Sequence, residues 1–186
     1  SYFRIIDTPN RIWFVGRAGL AGYRKDATSW TEYGPISGAD FSTLGDTVLF
    51  TASGSPFIYD PGSDRWSAPQ LVGLPGSVTD AFLTSSEMTF ASNEGLFVLD
   101  TKNNTRQVWT KSSGLKDDAL VRVYADQRFI YALTAGTIQY FNRQQGLWKH
   151  EDFVPPQARK DQLAFLDDAG AHLTIIPETD IRLSGR

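Results

Sequence analysis

Four aspartates recur at nearly regular intervals, and they are the residues of this sequence with the clearest chemical potential. Asp40, Asp80, Asp118 and Asp161 stand 40, 38 and 43 residues apart. Carboxylates gathered around one axis could bind a cation, or could act as the acid and the base of glycoside hydrolysis. Alternatively, each Asp ends a turn and accepts backbone N–H groups. We favour this structural role, because a feature that recurs in every repeat is expected to serve the repeat.

Other catalytic motifs are missing from the sequence. It contains two histidines, His150 and His172, no cysteine, and no G-x-S-x-G segment that would supply a serine nucleophile. The glycine-rich segment 16–22 lacks the spacing of a phosphate-binding loop. We therefore predict no catalytic residue, no metal site and no cofactor.

The composition narrows the range of partners. A chain of 186 residues with 41% apolar and 21% charged residues is long enough to bury a sizeable core. Its net charge of −3 argues against a nucleic-acid partner, which would favour a basic surface. No apolar run reaches the length of about 18 residues that a spanning helix needs, so we expect no direct membrane insertion. The lack of cysteine is compatible with both the cytosol and the periplasm.

The elements that would position these residues are short strands. Residues 73–111 contain four apolar runs, at 78–83, 88–91, 96–99 and 107–109, separated by turn-forming residues. Each run is too short for a helix, so the segment predicts a four-stranded antiparallel meander. The same order of runs and turns recurs before and after it. We predict one domain over 1–186, with repeat units at about 2–33, 40–69, 78–112, 119–152 and 162–186.

Two markers keep the register of these repeats. A Trp stands in each predicted fourth strand, and an Asp or Asn opens the turn before it. A period near 40 residues with four strands per repeat is typical of a β-propeller blade. A β-sandwich also has many short strands, but its sequence would not repeat in this register. We expect the Trp rings to lie between neighbouring blades. The markers are Trp30, Trp66, Trp109 and Trp148, and Asp26, Asp60, Asp100 and Asn142.

Residues 73–100 resemble the repeat of the two-component-regulator type of propeller. That repeat has a Gly-Leu-Pro, a Val before the first strand, a Gly-Leu, and an Asp turn. The resemblance implies a propeller fold and an extracytoplasmic sensing module of a larger protein, which favours a periplasmic or extracellular location. The matching residues are Gly73-Leu74-Pro75, Val78, Gly95-Leu96 and Asp100, then Gly114-Leu115 and Val121, and Trp13, Gly19-Leu20 and Asp60.

The loops at one end of such a propeller form the predicted binding face. Connections from a fourth strand to the next first strand share this end with the turns between second and third strands. We expect a protein, small-molecule or glycan ligand there, in a non-enzymatic recognition module. The alternatives are a five-bladed glycosidase or lectin that uses the aspartates, and a structural scaffold. The predicted face carries Arg17, Glu94, Lys116, Asp118, Arg159 and Lys160.

The number of predicted strands affects whether the blades of this chain can form a closed propeller ring. The sequence predicts five first strands but only four Trp-bearing fourth strands, so it yields four complete blades and part of a fifth. Either a five-bladed ring closes with a three-stranded last blade, or the chain is a segment of a larger propeller. We favour the segment, whose uncovered blade faces would then bind the remaining propeller half or a second copy.

Overall fold

A computed structural model of the chain describes residues 2–16, 19–33 and 40–152, and the backbone of residues 162–166 and 173–177. For residues 2, 3 and 40 only the backbone is described. These residues form four four-stranded sheets and one two-stranded sheet, all antiparallel. No described helix is long and apolar enough to cross a membrane.

The strands are β1 (Tyr2–Asp7), β2 (Arg11–Gly16), β3 (Gly19–Arg24) and β4 (Ser29–Glu32); β5 (Asp40–Leu44), β6 (Thr47–Ala52), β7 (Ser55–Asp60) and β8 (Arg65–Ser67); β9 (Val78–Leu83), β10 (Glu87–Ser92), β11 (Gly95–Asp100) and β12 (Arg106–Trp109); β13 (Arg122–Ala125), β14 (Phe129–Leu133), β15 (Thr137–Asn142) and β16 (Leu147–Asp152); and β17 (Gln162–Leu166) and β18 (Leu173–Pro177).

Each four-stranded sheet is a meander in which every strand pairs with its neighbours in the chain. The short apolar runs and the turns between them therefore fold as predicted, into all-β units of four antiparallel strands. We call these sheets the first to fourth blades. Their strands fall inside the predicted repeat ranges, and β17 and β18 are the described part of the fifth unit.

Three apolar cores lie between successive blades. The middle strands of the second and third blades are apolar on both faces, because each face packs against a different neighbouring blade. Burial between sheets thus holds the blades side by side. Among the side chains that fill the three interfaces, in order, are Trp13, Val15 and Tyr59; Leu49, Phe90 and Phe97; and Ala91, Leu96 and Ile130.

Side-chain hydrogen bonds join the first strands of neighbouring blades. The Ser42 hydroxyl in β5 accepts the backbone N–H of Leu83 in β9 at 2.9 Å. The Thr79 hydroxyl in β9 donates to the carbonyl of Leu120, just before β13, also at 2.9 Å. First strands that lie against each other in this way are the arrangement expected around the axis of a propeller.

The turn between third and fourth strands repeats closely in all four blades. The fourth residue after the end of the third strand has a positive φ each time: 48° at Thr28, 54° at Asp64, 54° at Asn104 and 65° at Gly146. In three blades the Asx residue that ends the third strand accepts backbone N–H groups of the turn, as predicted. These residues are Asp60, Asp100 and Asn142.

The first blade departs from this pattern. Arg24 ends β3 and occupies the position that Asp60 holds in the second blade. Asp26 lies two residues later and forms a two-armed ion pair with Arg24, at 3.1 and 2.7 Å. The predicted equivalence of Asp26 with the other Asx residues is therefore wrong, since an Arg–Asp pair replaces the turn-opening aspartate.

The Gly-Leu motif has a clear structural basis. Gly19 and Gly95 are the first residues of β3 and β11, with φ of 141° and 142°. A Cβ on Gly95 would lie 2.5 Å from the carbonyl oxygen of Trp109. The fourth strand therefore lies too close to this position for any residue other than glycine. The leucine that follows, Leu20 or Leu96, points into the core between blades.

Val121 does not fill the position predicted from the repeat. It is exposed, whereas its neighbour Leu120 is buried in the core of the third and fourth blades. Arg122 pairs with Leu133 as Asp80 pairs with Ala91, so the residues two positions before them, Leu120 and Val78, correspond. Leu120 is thus the equivalent of Val78, and the sequence match is one residue out of register.

Trp109 also lies out of the predicted register. Trp30, Trp66 and Trp148 lie opposite Tyr23, Tyr59 and Phe141 near the end of each third strand, but Trp109 lies opposite Leu96 near its start. This shift of three residues puts Trp109 on the other face of its blade. The residue equivalent to Trp30, Trp66 and Trp148 in the third blade is Arg106.

The rings of Trp66, Trp109 and Trp148 lie between blades, whereas no described neighbouring blade packs on that of Trp30. Trp66 packs edge-on against Trp13 of the first blade at 5.2 Å. Trp109 packs edge-on against Trp148 of the fourth blade at 5.8 Å. Trp30 is 57% exposed, and its ring contacts with described residues are within its own blade. Among the described residues, no neighbouring blade covers Trp30, so its interblade position stays a prediction.

Candidate recognition surfaces

The structure describes the side chains of two of the four periodic aspartates, Asp80 and Asp118. Asp80 lies within β9, is 6% exposed, and accepts the backbone N–H of Val123 in β13 at 2.9 Å. Its carboxylate thus serves as a link between the first strands of two blades. The backbone of Asp40 pairs with Thr51, which is the strand position equivalent to that of Asp80. Asp161 lies outside the described residues.

Asp118 does not belong to the same register. It lies in the connection before β13, where its carboxylate accepts the backbone N–H of Lys111 at 2.6 Å. The residue of β13 that corresponds to Asp80 is Arg122, which pairs with Leu133 as Asp80 pairs with Ala91. The expectation of one equivalent carboxylate in every blade is therefore wrong for the fourth blade.

Two members of the predicted binding face, Glu94 and Lys116, lie near the same end of the third blade. Glu94 is exposed in the turn between β10 and β11. The connection from β12 to β13, which contains Lys116, is tied to this turn because the N–H of Leu120 bonds to the carbonyl of Ser92. Arg17, Arg159 and Lys160 lie outside the described residues, so the rest of the face stays a prediction.

A buried glutamine fixes the loop that carries Lys116. Gln139 in β15 is 1% exposed, and its side-chain oxygen accepts the backbone N–H groups of Lys116 and Asp117. Its amide nitrogen donates to the carbonyl of Asp117 at 2.7 Å. Three hydrogen bonds from one side chain that packing already immobilises hold this loop in one conformation. Sequence reasoning missed Gln139, although an amide between the apolar residues of a third strand was a visible signal.

Ion pairs surround the same loop. The Lys116 ammonium binds the Asp152 carboxylate at the end of β16, which also accepts the Thr137 hydroxyl at 2.9 Å. The hydrogen bond from Lys116 lowers the pKa of Asp152 below its ordinary value. Lys111 pairs with Asp117 at 3.2 Å and lowers the pKa of that carboxyl in the same way. The loop therefore presents paired charges, in which lysine ammonium groups are hydrogen-bond donors and aspartate carboxylates are acceptors for a ligand.

A polar cavity of about 430 Å³ lies at the opposite end, beside the turns of the first two blades. Arg11, 6% exposed, donates to the Asp64 carboxylate at 2.7 Å. The hydroxyls of Tyr33 and Tyr59 donate to the same oxygen at 3.0 and 2.8 Å. Burial alone would raise the pKa of Asp64, but the hydrogen bonds from both tyrosines, with Arg11, outweigh it and lower that pKa. The other residues of this cavity include Arg24, Asp26 and Asp46.

A second cavity, of about 480 Å³, also lies at that end, between turns of the second, third and fourth blades. Leu44 lines one side, and Glu87 and Arg143 form an ion pair that joins the third and fourth blades. Both cavities thus lie among turns at the end where the sequence predicted no binding face. Neighbouring turns form them together, so no single motif marks them.

Comparisons with known proteins bear on the fold. No protein-family model matches the chain, and no curated protein matches it in sequence. Among solved structures, the extracellular domain of the hybrid two-component system BT4673 from B. thetaiotaomicron is similar at 13% identity and a TM-score of 0.64, over 89% of this chain and 24% of that one. Hydrazine synthase from Kuenenia stuttgartiensis is similar at 12% identity and a TM-score of 0.65, over 94% and 55%.

A third similar structure is PorZ, a surface component of the type-IX secretion system of Porphyromonas gingivalis, at 19% identity and a TM-score of 0.51. It matches over 83% of this chain and 21% of its own. The chain thus spans between about a fifth and just over half of these proteins. Likeness at such identities establishes the fold and not the activity. The fold is a β-propeller of four-stranded blades, and the resemblance to two-component-regulator propellers is confirmed at the level of that fold.

Proposed function

We propose that the chain is a non-enzymatic recognition module, the sensing propeller of a larger extracytoplasmic protein. We further propose that it binds a ligand at the end of its blades that carries the loop 111–118 and the turn with Glu94, which we call the loop end. The observation that carries this proposal is the loop 111–118, which the buried side chain of Gln139 holds in place. A loop that is already ordered loses little conformational entropy on binding, so more of the contact energy appears as affinity.

The ligand chemistry follows from the charges of this loop. Lys116 and Asp152 are partly exposed and already paired with each other. Each can therefore replace its bond to the other by a bond to a ligand, and no charge is left buried without a partner. Such a surface suits a neutral ligand that is rich in hydroxyl or amide groups, such as a glycan or a peptide segment. The likeness to extracellular domains of two-component systems supports the sensing part of the proposal.

The test is a binding screen of the 186-residue chain by isothermal titration calorimetry, with soluble oligosaccharides and short peptides as probes. We expect Lys116→Glu to weaken the bound probe at least about tenfold, equal to about 1.4 kcal/mol. The matched control is Lys102→Glu, which makes the same charge change in the exposed turn at the opposite end of the third blade. If no probe binds, or if both variants bind like the wild type, the loop-end proposal is wrong.

The alternative of glycan hydrolysis has weaker support. It needs an acid and a base in different environments, within about 5–10 Å of each other. Asp80 is buried in a link between strands, and Asp118 is held by a backbone N–H of its own connection. Loss of a measured glycosidase activity in both Asp80→Asn and Asp118→Asn would favour the enzyme over the recognition module.

A further inference from the structure

The outer face of the first blade, on the side away from the second blade, is apolar, and its residues range from half-buried to exposed. We call it the open face; it contains Ile5, Ile12, Phe14, Tyr23 and Trp30, which strand pairing places on one side of the sheet. Ile5 is 64% and Trp30 is 57% exposed. Scattered exposed apolar residues are ordinary, but a contiguous set on one sheet face marks an interaction surface.

The same strand positions of the second blade are buried. Val48, Phe50 and Tyr59 correspond to Ile12, Phe14 and Tyr23, and each of the three is at most 1% exposed. Val48 and Tyr59 pack against the inner face of the first blade, where Trp13 and Val15 lie. The open face therefore carries the same kinds of apolar side chain as the face of the second blade that the first blade covers.

The tryptophans show this equivalence in detail. Trp30 packs against Phe14 and Tyr23 of its own blade at 5.0 and 5.1 Å. Trp66 makes the matching contacts within its blade, with Phe50 and Tyr59 at 4.9 and 5.2 Å.

Trp66 has further ring contacts that come from the neighbouring blade. They are with Trp13 at 5.2 Å and Tyr33 at 6.2 Å. In the fourth blade, Trp148 repeats the arrangement, with Phe141 of its own blade at 5.4 Å and Trp109 of the third blade at 5.8 Å. For Trp30, no described residue supplies the cross-blade ring.

We infer that the open face is the docking surface for a further four-stranded propeller blade, one supplied from outside this 186-residue sequence. The facing side of that blade carries a large aromatic residue on its fourth strand, at the position that Tyr33 and Trp109 hold here. Its middle strands present apolar side chains, as β2 and β3 do toward the second blade. The inference continues an interface already present between the first and second blades, and it does not depend on the ligand proposal.

The geometry of the open face favours a sheet over other occupants. It is the pleated side of four strands, and neither of the two cavities described above reaches it. Flat apolar sheet faces pack best against another sheet, at about 10 Å. The charged residues on this side are Asp7, which pairs with Lys25 at 2.6 Å, and Glu32, and both lie at its edges.

Thiol labelling tests whether the open face is covered. The chain has no cysteine, so Ile5→Cys introduces a single reactive group. Val72→Cys, at a residue that is 66% exposed in the loop after β8, is the matched control. We expect a maleimide to label both variants at similar rates in the purified 186-residue chain. In the protein as its native cells make it, position 5 should label at least about tenfold more slowly, and position 72 at an unchanged rate.

Equal labelling of the two positions in the native protein would overturn the inference. Protection of position 5 in the purified chain that is lost on dilution would identify a second copy as the occupant, and would overturn it as well. A photoreactive benzoylphenylalanine in place of Trp30 then identifies what lies on the face. We expect cross-linked peptides from strands of a propeller blade outside these 186 residues. Peptides from within them, or from a helical partner, would contradict the proposed occupant.

Discussion

Among the described residues, the indole of Trp13 is the largest fully buried side chain, and its removal should strongly destabilise the fold. It is 0% exposed and lies 4.7 Å from the ring of Tyr59 and 5.2 Å from that of Trp66. Burial of an aromatic side chain removes about 150–250 Å² from water. This burial contributes about 4–6 kcal/mol at about 25 cal/mol per Å². The indole N–H has no hydrogen-bond partner among the described residues, so truncation also removes an unsatisfied donor and recovers about 1 kcal/mol.

We therefore expect Trp13→Ala to lower the free energy of unfolding by about 3–5 kcal/mol. The assay is urea denaturation of the purified chain, followed by far-ultraviolet circular dichroism. Trp30→Ala is the matched control, because the same truncation on the exposed open face should cost less than about 1 kcal/mol. Equal losses in the two variants, or a loss below about 1 kcal/mol for Trp13→Ala, would refute the interblade packing.

Three further predictions concern turns and pH. Gly95→Ala should cost more than about 2 kcal/mol in the same assay, because its Cβ would meet the carbonyl oxygen of Trp109; a neutral effect would contradict the strand geometry. Thr28→Gly should raise the free energy of unfolding by about 0.5–1 kcal/mol, since a β-branched residue is strained at a φ of 48°, and Gly146→Thr should lower it. The pKa of Asp64 is lowered in the fold, so its contribution is present above its ordinary pKa of 3.8 and is lost as the pH falls through the folded value. Thermal melts should show a smaller fall in Tm below pH 4 for Asp64→Asn than for the wild type, and identical falls would contradict the assignment.

The strands and turns were predictable because their signals are local. Alternation of apolar runs with Gly, Asn, Asp and Ser defines strand ends within a few residues. The turns at Asp60, Asp100 and Asn142 follow from hydrogen bonds that each side chain makes to its own turn. A repeat of such local signals is sufficient to predict a propeller, and the structural likeness confirms that fold.

The face of a strand on which a side chain lies was harder to predict. A shift by an odd number of residues moves a side chain to the opposite face, and repeats of unequal length conceal such shifts. Trp109 kept the expected spacing along the chain but lies on the other face of its blade. Asp118 likewise kept its spacing but falls outside the strand that holds the equivalent of Asp80.

The anchoring of the candidate site depends on contacts between distant residues. Gln139 reaches the backbone of Lys116 and Asp117 from another strand, so only the folded chain shows what it binds. The cavities at the other end arise where turns of different blades meet, and no turn by itself encodes them. Sequence reasoning could mark a loop as a candidate surface, but it could not identify the side chain that holds the loop in place.

Hydrogen–deuterium exchange with and without the bound probe tests the loop-end claim most directly. We predict that binding slows exchange in the loop 111–118 and in the turn that contains Glu94. Gln139→Leu, which removes the acceptor of two loop amides, should speed exchange in this loop before any probe is added and should weaken binding. Protection at the opposite end, around residues 44–46, 84–87 and 126–127, would contradict the account and assign recognition to the cavities there.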